Sequence, residues 1–288
     1  MIPIIWGDTK INILDTPGYF DFVGEAEEAA AAADAAIIVV NGKNGVEVGT
    51  EKAWDLCEKY KLPRFFYVSN MDYDNASYRE VVEKLTELYG KKIAPLFLPI
   101  RENEKFVGYV NVVKMAARRY VNKNEKVECE IPDYSREYLD HYRENLLEAV
   151  AETSEEFMDR YFSGEEFSEA EIVAALHANV SDCSIVPVTM GASLSLQGIV
   201  PLGQDGGHHL LGRGLAGGAG DLHHGQSEAA AIPGSQGAQG QTGVLHQHVG
   251  LMGQQLVRTA GRQAALCAAG EGGVNIGVAV EALAGQGD

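Results

Sequence analysis

The chain has 288 residues, 45% of them hydrophobic and 22% charged, and its 41 Asp and Glu against 23 Lys and Arg give a formal net charge of −18. That length suits one large or two small domains with enough apolar side chains for a core, and the acidic balance argues against a broad footprint on nucleic acid, so no direct DNA binding is expected. With no apolar run of about 18 residues and no basic-then-apolar start, neither a membrane helix nor a signal peptide is expected, and the location is expected to be cytoplasmic.

Cys57, Cys129, Cys183 and Cys267 show no CxxC or metal-type spacing and read as reduced thiols. Composition breaks near residue 200. Every aromatic lies at or before Phe167 and every Lys at or before Lys126, whereas 22 of the 33 glycines and six of the eight histidines follow Ile199. The two parts follow different folding logic.

In chain order, Lys10 to Asp15 alternates like a strand, Asp21 to Ala33 reads as a helix, and Ala35 to Val40 reads as a strand buried on both faces. Thr50 is expected to cap a helix with Ala53, Cys57 and Tyr60 on one face. Arg64 to Val68 is a second buried strand, and Tyr78, Val81, Leu85 and Leu88 stripe a helix that Gly90 can end. Pro95 to Ile100 and Phe106 to Val113 read as strands, followed by helices. Two of these open with the capping boxes Thr153 to Glu156 and Ser168 to Glu171. A last strand, Ser184 to Thr189, runs into "MGAS". The alternation predicts a doubly wound α/β order.

Ligands of such sheets sit beyond the carboxyl ends of the strands, where Asp15, Ser69 to Asp72 and Gly191 to Ser193 fall. "DTPGYFDFVGE", "SNMD" and "MGAS" together resemble the translational GTPases, most closely the elongation factor G group, over about residues 4 to 199. They stand where that family has its D-x-x-G, N-K-x-D and G-S-A motifs. "LPIRENEKFVGYVNVVKM" and "NLLEAVAETSEEFMDRYFSGEEFSEAEI" resemble the group's inserted subdomain. The fold implied is α/β, a partial P-loop GTPase-like G domain (1–92 and 184–199) with an inserted α+β subdomain (93–183). A low-complexity tail (200–288) follows it.

The resemblance implies GTP/GDP and Mg2+ as cofactors and the ribosome as partner, with a ribosomal stalk protein as a further partner of the inserted subdomain. By it, Asp15 holds Mg2+ through water, the Gly18 amide meets the γ-phosphate, and Asp72 accepts from the guanine ring. Gly191, Ala192 and Ser193 offer backbone or hydroxyl contacts to the base. Three positions depart from the pattern. Tyr19 stands where the family has a water-orienting histidine, and a phenol is a poor base near neutral pH. Ser69 and Asn70 replace the usual Asn and Lys, which removes a bidentate amide and an aliphatic stem over the base, so guanine affinity is expected to fall.

Only 14 residues precede Asp15, and the G-x-x-x-x-G-K-[ST] loop that cradles phosphates is not among them. We expect an N-terminally truncated gene product that binds GTP weakly and hydrolyses it negligibly. The segment after Val200 is expected to be a wrong-frame translation or a flexible Gly-rich tail. The paired histidines within it lack a ligand framework and are not expected to bind metal. A second functional class stays open: a nucleotide-independent module that docks a protein partner through the acidic helices between Tyr134 and Phe162.

Overall fold

The computed structural model describes residues 1–6, 9–103, 105–122, 125–193, 195, 197, 198 and 275–277. Its centre is a five-stranded sheet in the order β11-β3-β4-β10-β5, built from β3 (Ala36–Asn41), β4 (Arg64–Ser69), β5 (Ile93–Pro95), β10 (Val186–Met190) and β11 (Asn275–Gly277). β3, β4, β10 and β5 run parallel, as the alternating strand and helix pattern predicts. β4 is buried along its whole length, including Phe65, Phe66 and Val68. Burying each such side chain contributes about 1.5–3 kcal/mol.

Around this sheet lie α1 (Val23–Ala32), α2 (Val48–Tyr60), α3 (Tyr78–Tyr89), α4 (Asp133–Ala151), α5 (Glu155–Ser163) and α6 (Glu169–Val180). On α2, Trp54 stacks against Tyr89 of α3 at 3.9 Å between ring centroids and against Phe66 of β4 at 5.8 Å, which ties two helices to the sheet through offset aromatic faces. Gly90 ends α3 with φ +79°, a conformation that glycine adopts without strain.

A second sheet, the antiparallel meander β6 (Phe97–Glu102), β7 (Lys105–Asn111), β8 (Ala116–Tyr120) and β9 (Lys126–Cys129), interrupts the parallel order. It joins the main body through Phe97, Leu98, Ile100, Val110 and Val112, which belong to the common core. Gly108 of β7 lets β8 approach so closely that a methyl group there would collide with the Arg118 carbonyl.

Several expectations need correction. Thr50 is not the cap of α2. The helix starts at Val48, Glu47 stands at the N-cap, and the Thr50 hydroxyl accepts from the Glu47 amide at 3.3 Å, so the two residues exchange the usual capping-box roles. The box at Thr153 is displaced by one residue. Ser154 caps α5 by accepting from the Phe157 amide, while the Thr153 hydroxyl donates to the Val150 carbonyl at the end of α4. The box at Ser168 and Glu171 forms as read.

β3 is not buried on both faces, since Ile37 and Val39 are only half-buried. Leu88 stands exposed and Val82 takes the buried place on α3. β8 and β9, where helices were expected to begin, are strands. The strand β2 (Thr9–Ile13) pairs only with β1 (Ile2–Trp6) among the described residues, in a separate antiparallel hairpin.

Beyond residue 198 the structure describes Asn275–Gly277, which pair antiparallel with Ile37 to Val39 at the outer edge of β3. An uncovered strand edge presents unpaired N–H and C=O groups, which is what such an addition satisfies. The rest of the glycine-rich segment, its six histidines and Cys267 lie outside the described residues.

Candidate functional site

Three loops meet at the carboxyl end of β3, β4 and β10. The Gly42 amide donates to the Ser69 carbonyl at 2.9 Å, the Met71 amide to the Gly191 carbonyl at 3.1 Å, and the Ser77 amide to the Gly42 carbonyl at 2.8 Å. Ser69, Asn70, Asp72, Ala192 and Ser193, expected together from the sequence, are thus brought together. Asn70 takes the left-handed backbone conformation, φ +59°, which asparagine tolerates better than most residues. That turn swings the chain out of β4 so that Asp72 faces a cavity of about 340 Å³ lined by Lys43, Asp72, Tyr73, Asp74 and Asn75.

Three buried polar atoms here lack a protein partner: the Asn70 Nδ2, the Asp72 Oδ1 and the Tyr67 hydroxyl. A buried polar group without a partner costs about 1–3 kcal/mol, and of these three residues Asp72 is the one that lines the cavity. Burial pushes the Tyr67 hydroxyl far above the ordinary phenol range, with Tyr120 and Asp72 adding to the shift, and it stays a neutral donor. Tyr67 was not foreseen. Its one clue is a hydroxyl inside the otherwise apolar run "FFYV".

The other expected residues have more definite places. The Ser69 hydroxyl donates to the Val40 carbonyl at 3.2 Å and so serves the sheet. Ala192 is fully buried and its amide donates to the Gln197 carbonyl at 2.8 Å, so that N–H already has a partner within the loop. Ser193 is also buried. Gly191 sits at a crossing where a methyl group would lie 2.5 Å from the Gln197 carbonyl and closer still to the Tyr67 hydroxyl.

Asp15, Gly18 and Tyr19 form a second group, on the segment between β2 and α1. Asp15 is half-buried, and desolvation raises its carboxyl above the ordinary 3.8 while the chain's amino terminus pulls it down. Gly18 is buried and Tyr19 is 46% exposed, its carbonyl accepting from the Phe22 amide at the start of the 3-10 turn Phe20–Phe22. Because β2 lies in its own hairpin, the expectation that one sheet edge presents all three motifs holds for the second and third motifs only. No cluster of three or more His, Cys, Asp or Glu able to hold a metal occurs among the described residues, and no described helix is long and apolar enough to cross a membrane.

A parallel sheet whose loops converge at its carboxyl edge, with an antiparallel insertion between β5 and β10, defines a G-domain fold of the translational GTPase type. Residues 2–210 match the family model described as the elongation factor Tu GTP binding domain, and the chain belongs to that family. Within it the similarity is to elongation factor G. Over 200 residues the chain is 40% identical to elongation factor G of Neorickettsia sennetsu (strain ATCC VR-367 / Miyayama), an alignment covering 68% of this chain and 29% of that protein. A crystal structure of a protein from Thermus thermophilus matches with a TM-score of 0.66 and 35% identity, over 74% of this chain and 32% of that one. The chain thus spans under a third of the length of these relatives.

Proposed function

We propose that the loops around Asp72 bind the guanine base of GTP or GDP and that the chain acts as part of an elongation factor G-like GTPase serving protein synthesis on the ribosome. The observation that carries the reading is the unpartnered buried Oδ1 of Asp72, a residue that lines an open cavity. A carboxylate there accepts from two ring donors of guanine that adenine does not present. Asn70, on the same turn, supplies a further donor through its unpartnered Nδ2, and the buried Ser193 closes the other side.

Asp15 fits a magnesium site held largely through water. It is a single half-buried carboxylate, and Mg2+ keeps several of its own waters. When bound, the ion neutralises phosphate charge; Gly18 would offer its amide to the terminal phosphate, and Tyr19 stands where water is oriented. The base contacts lack a G-x-x-x-x-G-K-[ST] loop in this sequence, so affinity of the chain rests on the base and is expected to be weak. The chain divides functionally into the G domain (1–92 and 184–199) and the inserted subdomain (93–183), in which β5 extends the main sheet. A cytoplasmic location goes with this role.

Calorimetric titration of the purified chain with GDP and ADP, in parallel with Asp72→Ala, tests the base site. The expected result is weak binding that favours GDP and is lost in the variant. Equal binding of both nucleotides, or an unaffected variant, overturns it. A second reading, a module that docks a ribosomal stalk or other protein without nucleotide, is favoured by Phe162, 78% exposed at the end of acidic α5. The same titration separates the two, since this module would ignore GDP.

A further inference from the structure

The loop that carries Asp72 is held from the inserted sheet. Arg101, in β6, donates through Nη1 to the carbonyls of Met71 at 3.2 Å and Ala76 at 2.9 Å, and through Nη2 to the carbonyl of Tyr73 at 2.9 Å. One planar guanidinium thus gathers three carbonyls from a six-residue turn. Its own backbone is clamped, because the Tyr134 hydroxyl of α4 accepts from the Arg101 amide at 3.2 Å and donates to its carbonyl at 2.9 Å. The second base loop is held from the same sheet. The hydroxyl of Tyr120, in β8, accepts from the Gly198 amide at 2.6 Å, at the point where φ of Gly198 is +82° and the chain crosses back over Gly191.

We propose that Arg101 and Tyr120 are positioning residues for guanine recognition, fixing the Asp72 loop and the 191–198 loop from the inserted sheet. This rests on the base-site reading above. The geometry favours positioning over mere packing for two reasons. The carbonyls of Met71, Tyr73 and Ala76 face the guanidinium, while the Asp72 Oδ1 and the Asn70 Nδ2 stay unpartnered, so Arg101 fixes the turn from its carbonyls and leaves the recognition groups for ligand. A guanidinium also presents its donors in a rigid fork, whereas an ammonium satisfies one point at a time, so the turn's shape depends on the fork and not on charge alone.

Two measurements decide it. In nucleotide-free protein, Arg101→Met should raise hydrogen exchange at amides 71–77, and Tyr120→Phe at 197 and 198, each by about tenfold, with amides 36–41 unchanged. Arg101→Lys, which keeps the charge and is the variant better placed to fold, should give an intermediate rise at 71–77. Unchanged exchange in these loops overturns the proposal whether or not nucleotide binds.

The second measurement is the ratio of GDP to IDP affinity, IDP lacking the exocyclic amine of guanine. Arg101→Met should lower that ratio by about tenfold, since a charge-assisted contact depends on carboxylate placement. General destabilisation would weaken both nucleotides alike and leave the ratio intact. Faster loop exchange with an unchanged ratio would therefore refute the recognition role. A wild-type chain that fails to prefer GDP over ADP refutes the base site itself, and the exchange data alone then decide whether the inserted sheet holds the loops.

Discussion

Replacing Tyr67 with phenylalanine should stabilise the ligand-free protein. Its ring is fully buried in β4 and its hydroxyl has no partner. A hydroxyl desolvated without compensation costs about 1–3 kcal/mol, and Tyr67→Phe deletes it with almost no change in ring packing, so a gain of about 1 kcal/mol is expected. For a folded body of this size that corresponds to a rise of roughly 2–4 °C in Tm, read by circular dichroism. The same hydroxyl also crowds Gly191, where an added methyl group would meet it. Gly191→Ala should therefore cost about 1–3 kcal/mol by overpacking, and part of that cost should disappear in the double variant, leaving a coupling of about 0.5 kcal/mol or more. The rescue is incomplete because the Gln197 carbonyl remains 2.5 Å from the new methyl group. A fall in Tm for Tyr67→Phe would show that the hydroxyl has a partner in the free protein. Strict additivity of the two substitutions would show that it does not face Gly191, and either outcome sinks the reasoning.

Arg64 is almost fully buried with its guanidinium 3.9 Å above Trp54, is ion-paired to the half-exposed Glu58, and leaves its Nε unpartnered. Glu58→Gln strands that charge and should cost about 3 kcal/mol in urea denaturation, whereas Arg64→Met keeps the stem's packing and should cost under about 1.5 kcal/mol; the reverse order would refute this. Burial holds the Asp15 carboxyl above its ordinary 3.8, so the folded chain binds that proton more tightly than the unfolded chain, and this contribution to stability is lost as pH rises through the raised value. Asp15→Asn should accordingly raise Tm at pH 7 and change it little below about pH 4; an equal shift at both pH values would contradict it. Burial pushes the Cys57 thiol up to about 12, so mass spectrometry should find it unmodified by iodoacetamide in native protein at pH 8 and alkylated in urea. Rapid native labelling of Cys57 would disprove its enclosure.

The parallel sheet was legible because its strands are short, apolar and separated by helices whose stripes keep a period near 3.6. Tyr78, Val81 and Leu85 show this on α3, and all three are buried. β8 and β9 were not legible. "AARRY" and "KVEC" carry no clean alternation, and what makes them strands is the antiparallel register of Gly108 with Arg119 and of Arg118 with Glu128, a tertiary condition. The cap positions slipped by small amounts for a related reason. Thr50 and Thr153 have the right side chains, but a hydroxyl three residues past the cap or one residue before it finds a different backbone partner, and the competition is settled by where the chain enters the helix.

The candidate site divides along the same line. Asp72 and its neighbours can be read from sequence because "SNMD" directly follows a buried strand and resembles the family's N-K-x-D motif. Arg101 and Tyr120 cannot, because nothing local distinguishes an arginine that holds a turn from one that faces water. Their partners lie far along the chain, 30 residues from Arg101 to Met71 and 78 from Tyr120 to Gly198. A buried carboxylate oxygen without a partner has affinity for a ligand only if its loop keeps its shape while empty, since a collapsed loop would satisfy that oxygen internally. On the proposed reading, the atoms that meet the base are therefore a property of the motif, and their availability is a property of the inserted sheet whose Arg101 and Tyr120 bond its loops.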